Sequence, residues 1–166
     1  MALKRKIEVL AYTPEWAKMF EAEKKSLEKL FGNQVVQIHH IGSTAIPGLA
    51  AKPIIDVLVE VQNIETIDKF NEEMKKQVYL PQGDFGISGR RFFIKGTETH
   101  RTHHIHIFQT GNPEIQKHLN FRDYMRQNPE EVVRYAKLKQ NLARRFPHDI
   151  EKYMAGKNDF ISQKVF

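Results

Sequence analysis

A single carboxylate interrupts the most apolar stretch of this 166-residue chain. Residues 53–61 have the composition of a buried strand, and Asp56 lies within the apolar run of residues 54–59. Burying a carboxylate costs several kcal/mol unless a cation or a hydrogen-bond donor pairs with it. We therefore expect Asp56 to lie at an opening in the fold, where it faces a cation or a basic pocket.

Two histidines at alternate positions offer partners for this carboxylate. In the predicted strand Arg101–Gln109, alternation places His104 and His106 on one face and His103 on the other. Two imidazoles at this spacing can share one divalent metal ion or transfer protons near neutral pH. We predict that Asp56, His104 and His106 are both catalytic residues and ligands of a divalent metal, Mg²⁺, Mn²⁺ or Zn²⁺. One carboxylate with two imidazoles favours a nitrogen-preferring metal over Mg²⁺.

A polar turn precedes the aspartate strand. It contains Gly42, Ser43 and Thr44, whose backbone N–H groups and two hydroxyls can cradle phosphate oxygens. Three cations are predicted to contact the same ligand, namely Lys52, Arg91 and Arg122. These residues favour a phosphate-bearing small molecule as the partner. It would be held beside a metal ion or, without metal, by protonated histidines and nearby cations.

Capping signals and hydrophobic periodicity define the elements that position these residues. Thr13 and Pro14 begin a first helix, and Asn112 and Asn128, each followed by proline, begin two later ones. Asn128 and Glu131 also have the spacing of a capping box. The predicted elements are a helix over residues 14–31, strands over 35–41 and 53–61, a helix from 63, strands over 90–95 and 101–109, and helices from 113, over 129–146 and over 150–161. This order predicts an α+β fold with helices packed on a mixed sheet, and residues 1–166 as one domain.

The composition is that of a globular domain, with 40% apolar and 28% charged residues. The net charge of +6 favours an anionic partner. Nucleic acid is the weaker candidate, because the charge is spread along the chain without a polybasic tail or a basic–aromatic repeat. We expect neither a membrane span nor a signal peptide, since the apolar runs are too short. The sequence contains no cysteine, which excludes disulfides and thiolate metal sites and favours a cytoplasmic protein.

A Gly-Ser turn followed by an aspartate-bearing strand resembles the nucleotidyltransferase fold, in which an Asp-x-Asp strand binds divalent metal. Laying that motif on this sequence with Asp56 as the second aspartate places Ile54 where the first belongs. The alternative register, with Asp56 as the first aspartate, places Leu58 where the second belongs. Two-metal phosphoryl transfer needs several carboxylates to hold its ions. The full metal-binding motif is therefore absent.

A longer stretch, residues 40–56 with the sequence HIGSTAIPGLAAKPIID, is similar to the signature of the GrpB family. The resemblance continues at residues 103–107, 121–126 and 135–139, at Lys157, and at residues 160–161. It spans nearly the whole chain and implies a nucleotidyltransferase-like fold. It implies no settled reaction, because related domains occur alone or attached to dephospho-coenzyme A kinases.

The histidine pair and the missing aspartate favour different functions. The pair favours an enzyme, a metal-assisted transferase or hydrolase acting on a nucleotide or another phosphate-bearing small molecule. The missing aspartate favours a degenerate, non-catalytic module that binds a nucleotide or a coenzyme-like anion. A third interpretation, RNA binding, rests on net charge alone.

Overall fold

The computed structural model describes residues 6–97 and 99–163. Its strands are β1 (Val35–Ile41), β2 (Ile55–Val61), β3 (Tyr79–Pro81), β4 (Arg90–Gly96) and β5 (Arg101–Gln109). Its α-helices are α1 (Glu15–Phe31), α2 (Asn71–Lys76), α3 (Pro113–Gln127), α4 (Pro129–Arg145) and α5 (Ile150–Ser162). Short 3₁₀ segments occupy Gly32–Gln34, Ser43–Ala45 and Glu65–Phe70. Within the described ranges, no helix is both long and apolar enough to cross a membrane.

The five strands form one mixed sheet in the order β1-β2-β5-β4-β3. β2 and β5 run parallel, whereas the other neighbouring pairs are antiparallel. The predicted α+β fold with a mixed sheet is therefore confirmed. The register of the parallel pair places Asp56 opposite His104 and Leu58 opposite His106. A carboxylate and two imidazoles that are far apart in the chain thus lie on adjacent strands.

One face of the sheet packs against α1. Trp16, Phe20 and Leu27 of this helix are buried in one cluster with Val57 and Ile105 of the sheet. Because side chains alternate along a strand, the aspartate and the two histidines of interest point to the opposite face. The largest apolar cluster therefore lies on the α1 side of the sheet, and the polar group lies on the other side.

Helices α3, α4 and α5 cover part of the opposite face. Their apolar side chains join the loop after β1 in a second buried cluster, which includes Ile46, Leu49, Met125, Tyr135 and Phe160. Helices α4 and α5 approach closely at Gly156, where a Cβ atom would lie 2.6 Å from Cδ2 of Leu142. This contact leaves no room for a side chain between the two helices.

The helix boundaries follow most of the predicted signals, with two corrections. Asn112 caps α3 as expected, because its Oδ1 accepts a hydrogen bond from Glu114 N at 2.9 Å. Asn128 does not form the predicted capping box, since its Nδ2 donates to the carbonyl oxygen of Tyr124 at 2.7 Å. The helix predicted from residue 63 is instead the 3₁₀ segment Glu65–Phe70 followed by the short α2. Val78, expected on its apolar side, lies past the end of α2 and is 63% exposed.

Candidate functional site

Asp56 lies at the centre of a compact hydrogen-bonded group with two imidazoles. Its Oδ1 lies 3.0 Å from Nε2 of His106 and 3.5 Å from Nδ1 of His104. The three ligand-type atoms lie within 4.8 Å of one another. The structure therefore brings together the three residues that the sequence predicted as a site. Their geometry follows from the parallel pairing of β2 and β5.

The two imidazoles keep Asp56 ionised. Burial alone would raise the pKa of this carboxyl, but hydrogen bonds from His104 and His106 lower the pKa well below its usual range. Burial lowers the pKa of His104, although the hydrogen bond to Asp56 opposes this effect. The Asp56 side chain remains 28% exposed. The site therefore presents one accessible carboxylate next to imidazoles.

Two arginines lie behind the imidazoles. Arg90 Nη1 lies 3.3 Å from His106 Nδ1, and Arg101 Nη1 lies 3.4 Å from His104 Nε2. A guanidinium can only donate hydrogen bonds, so these two ring nitrogens accept. The proton of each neutral imidazole is thereby assigned to the nitrogen that faces Asp56. A metal ion that used the same nitrogens would have to displace both protons.

The turn after β1 approaches the carboxylate through its glycine. Gly42 has φ 72° and ψ −173°, and a Cβ atom there would lie 2.7 Å from Oδ2 of Asp56. This backbone region is accessible essentially only to glycine. Thr44 is buried, and its Oγ1 lies 2.9 Å from Nε2 of His40. The threonine hydroxyl is therefore engaged within the fold, and His40 supports the turn from behind.

A cavity of about 610 Å³ opens in front of Asp56. Its size is typical of small-molecule sites, which span about 300–1,000 Å³. Seven of the residues predicted from the sequence line it: Gly42, Ser43, Thr44, Lys52, Asp56, His104 and His106. Helices α3, α4 and α5 supply the facing wall, so the cavity lies between the sheet and the C-terminal helices.

The structure does not bring the two predicted arginines to this cavity. Arg91 lies on the α1 side of the sheet, where it forms a bidentate ion pair with Asp68. Its Nε lies 2.7 Å from Oδ1 of that aspartate. Arg122 donates to the carbonyl oxygen of His40 at 3.3 Å and to Asp123 Oδ1 at 3.0 Å. Neither lines the cavity. Strand alternation explains the first case, because it turns the neighbouring Arg90 to the imidazole side instead.

Two lysines that the sequence analysis did not select also line the cavity. Lys139 on α4 is 1% exposed, and Lys157 on α5 is largely covered. Together with Lys52 they form a group that we call the lysine cluster. A sequence signal for Lys139 exists, since it occupies the buried stripe of α4 between Tyr135 and Leu142, where an apolar residue is expected. A lysine in such a stripe indicates a buried amine.

Comparison with known proteins supports the resemblance described above. The family described as GrpB protein matches residues 6–165. This chain belongs to the GrpB family. The GrpB-family chain is 49% identical over 158 residues to protein YqkA of Bacillus subtilis (strain 168), and the match covers 95% of this chain and 46% of YqkA. The chain thus spans about half the length of that relative.

Solved structures give the fold of the GrpB-family chain independently. The crystal structure of the conserved protein GrpB from Enterococcus faecalis is similar with a TM-score of 0.86 and 41% identity, covering 94% of this chain and 98% of that one. A cytoplasmic RNA terminal U-transferase has a TM-score of 0.52 and 15% identity, covering 79% of this chain and 44% of that one. At such low identity the second likeness shows the fold alone. The predicted nucleotidyltransferase-like fold is therefore confirmed.

Proposed function

We propose that this GrpB-family chain binds a nucleotide or a similar phosphate-bearing small molecule in the cavity in front of Asp56. The observation that carries the proposal is the convergence of the lysine cluster, the Gly42–Thr44 turn and the Asp56–imidazole group on one cavity. Ammonium groups and backbone N–H groups are the usual ligands of phosphate oxygens. The nucleotidyltransferase-like fold favours a nucleotide among such ligands.

The cationic groups also favour a small molecule over nucleic acid. They lie inside a cavity, whereas a nucleic-acid backbone is usually bound along a basic surface stripe or groove. The cysteine-free sequence favours a cytoplasmic site of action, which fractionation of cells that produce the protein would test.

A finer proposal is metal-assisted phosphoryl or nucleotidyl transfer. Asp56, His104 and His106 offer one oxygen and two nitrogen ligands within 4.8 Å of one another, a set that suits Zn²⁺ or Mn²⁺ better than Mg²⁺. A bound divalent ion would polarise the phosphoryl oxygens of the ligand. For such an ion to bind, each imidazole must release the proton that it directs at Asp56. The two histidines would then act as ligands rather than as proton carriers.

A second candidate is a metal-free binding module. The nitrogen of a metal-bound histidine that faces away from the metal normally donates a hydrogen bond to an acceptor. Here the outer nitrogens of His106 and His104 face Arg90 and Arg101, which only donate. This arrangement favours imidazoles that stay protonated towards Asp56. In that case the histidines would orient or protonate a ligand, and the carboxylate would hold them in place.

Metal analysis and thermal-shift titration test the two candidates. Purified protein is assayed for bound metal, then melted with nucleotides in the presence of Zn²⁺, Mn²⁺, Mg²⁺ or EDTA. A ligand at 100 times its Kd should stabilise the fold by about 2.7 kcal/mol. The proposal predicts stabilisation by nucleotides, and its metal-assisted form predicts that the shift grows with Zn²⁺ or Mn²⁺.

Variants at the site complete the test. Asp56→Ala and His106→Ala should remove metal uptake and reduce the nucleotide shift, whereas the exposed His100→Ala should change neither. Unchanged metal content and unchanged nucleotide shifts in both site variants would contradict the metal-assisted function. If no nucleotide or phosphate compound shifts the melting temperature of the parent protein, the binding function is wrong as well.

A further inference from the structure

The two histidines on the sheet side of the cavity are already fully engaged within the protein. The ring nitrogens of His106 lie 3.0 Å from Asp56 and 3.3 Å from Arg90. Those of His104 lie 3.5 Å from Asp56 and 3.4 Å from Arg101. An imidazole has only two nitrogens, so neither ring can bind a ligand without losing one of these partners.

A third imidazole, on the facing wall, has no such partners. His118 lies on α3 and lines the same cavity. Its ring centroid is 5.7 Å from that of His106 and 6.3 Å from that of Phe108. Within the part of the chain that the structure describes, its nitrogens form no hydrogen bond or ion pair. Burial lowers the pKa of His118 to about 4, so the ring is neutral near pH 7 and offers one donor and one acceptor.

Glu114 places a second acceptor on the same face of α3. It lies four residues before His118 and also lines the cavity, and side chains at this spacing are neighbours on a helix. Lys117 Nζ pairs with its Oε1 at 3.2 Å, and Oε2 has no donor among the described residues. A carboxylate oxygen repels phosphate but accepts hydrogen bonds from hydroxyl groups. Helix α3 thus presents two acceptors, whereas the amines of Lys139 and Lys157 lie on α4 and α5.

We propose that Glu114 and His118 form a subsite for hydroxyl groups, so that the ligand of this cavity carries a sugar or another polyol beside its phosphate. The inference rests on the proposed function and adds the chemical class of the part of the ligand that lies against α3. A hydroxyl donates one hydrogen bond and accepts another, which matches a neutral imidazole next to a carboxylate. Two neighbouring hydroxyls can each donate to one of the two side chains. The phosphate then lies towards the Gly42–Thr44 turn and the amines of α4 and α5.

Isothermal titration with AMP and dideoxy-AMP, which lacks both ribose hydroxyls, tests this subsite. Ribose phosphate and deoxyribose phosphate serve as a second pair without a base. We expect the parent protein to bind the hydroxyl-poor member of a pair about tenfold more weakly, because the acceptors on α3 lose their donors. His118→Phe keeps a ring but removes both nitrogens, so it should weaken AMP about fivefold and leave dideoxy-AMP unchanged. His148→Phe, at an exposed position between α4 and α5, is the matched control and should bind all probes as the parent does.

The outcomes separate this inference from the proposed function. If the parent protein binds both members of each pair equally well, the hydroxyl subsite is wrong and phosphate binding stands. The subsite is also wrong if His118→Phe weakens AMP and dideoxy-AMP by the same factor, because the residue then supports the cavity without contacting the hydroxyls. If none of the four compounds binds with or without Zn²⁺, both proposals are wrong. Should His118→Phe fail to fold, Glu114→Met takes its place, with the same expectation for the two members of a pair.

Discussion

Replacing Gly42 by alanine should damage both the fold and the site. The residue has φ 72° and ψ −173°, and forcing a side chain into such a conformation costs about 1–3 kcal/mol. The new Cβ would also lie 2.7 Å from Oδ2 and 3.2 Å from Cβ of Asp56, so the aspartate or the turn must move. For a chain of this size, the backbone cost alone lowers the melting temperature by about 2–12 °C.

Thermal and chemical denaturation monitored by circular dichroism would measure this loss. Gly48→Ala is the matched control, because Gly48 also has a positive φ of 84° but its nearest neighbour, Val132 Cγ1, is 4.0 Å from the added Cβ. The steric part can be isolated in an Asp56→Ala background, where Gly42→Ala should cost less by about 0.5–3 kcal/mol. The reasoning is wrong if Gly42→Ala and Gly48→Ala lower the melting temperature equally and Asp56→Ala leaves the cost of Gly42→Ala unchanged. Glycine at position 42 would then be required for a reason other than the short distance between the turn and the carboxylate.

Three further predictions concern buried titratable side chains. Burial holds the pKa of His40 at about 4 in the fold, so the unfolded chain binds more protons between about pH 4 and 6.5 and stability rises with pH across that window. Urea denaturation of His40→Gln at several pH values should show this slope reduced by about 1.4 kcal/mol per pH unit; an equal slope would contradict the assignment. Glu23 is buried and accepts from Lys95 Nζ at 2.9 Å, so Glu23→Gln should lose about 3 kcal/mol in the same assay, unlike the exposed Glu21→Gln. Lys139→Met should raise the melting temperature of the ligand-free protein while reducing its ATP-induced shift, and a lowered ligand-free melting temperature would contradict an unpaired buried charge.

Local signals in the sequence explain most of the fold. The Thr13–Pro14 start and the apolar stripe of the first helix predict α1, short runs rich in β-branched and aromatic residues predict β1, β2 and β4, and β5 is predicted by its alternation. The three-residue β3 has too few residues to show a period of its own. The parallel pairing of β2 with β5 is a contact between distant segments, and no local pattern specifies it. It becomes visible only when the whole sheet is assembled.

For the candidate site too, the sequence predicts some of the residues and only the packed structure places the others. Alternation along one strand was enough to place His104 and His106 together, but choosing between Arg90 and Arg91 required knowing which face of β4 meets α1. Lys139 interrupts the apolar stripe of α4, but only the packed structure shows what the lysine in that stripe faces. Side chains from separate elements meet through packing, which the order of residues along one element does not encode.

The tight contact at Gly156 has a consequence for how ligand preference can evolve. Gly156 adjoins Lys157, and Leu142 lies about one turn beyond Lys139, so the contact fixes the separation of the two amine-bearing helices. An alanine or serine there would force either the Leu142 side chain or one of the two helices to move. Natural variation at this one position would therefore reshape the wall that carries Lys139 and Lys157, while every residue that lines the cavity stays the same.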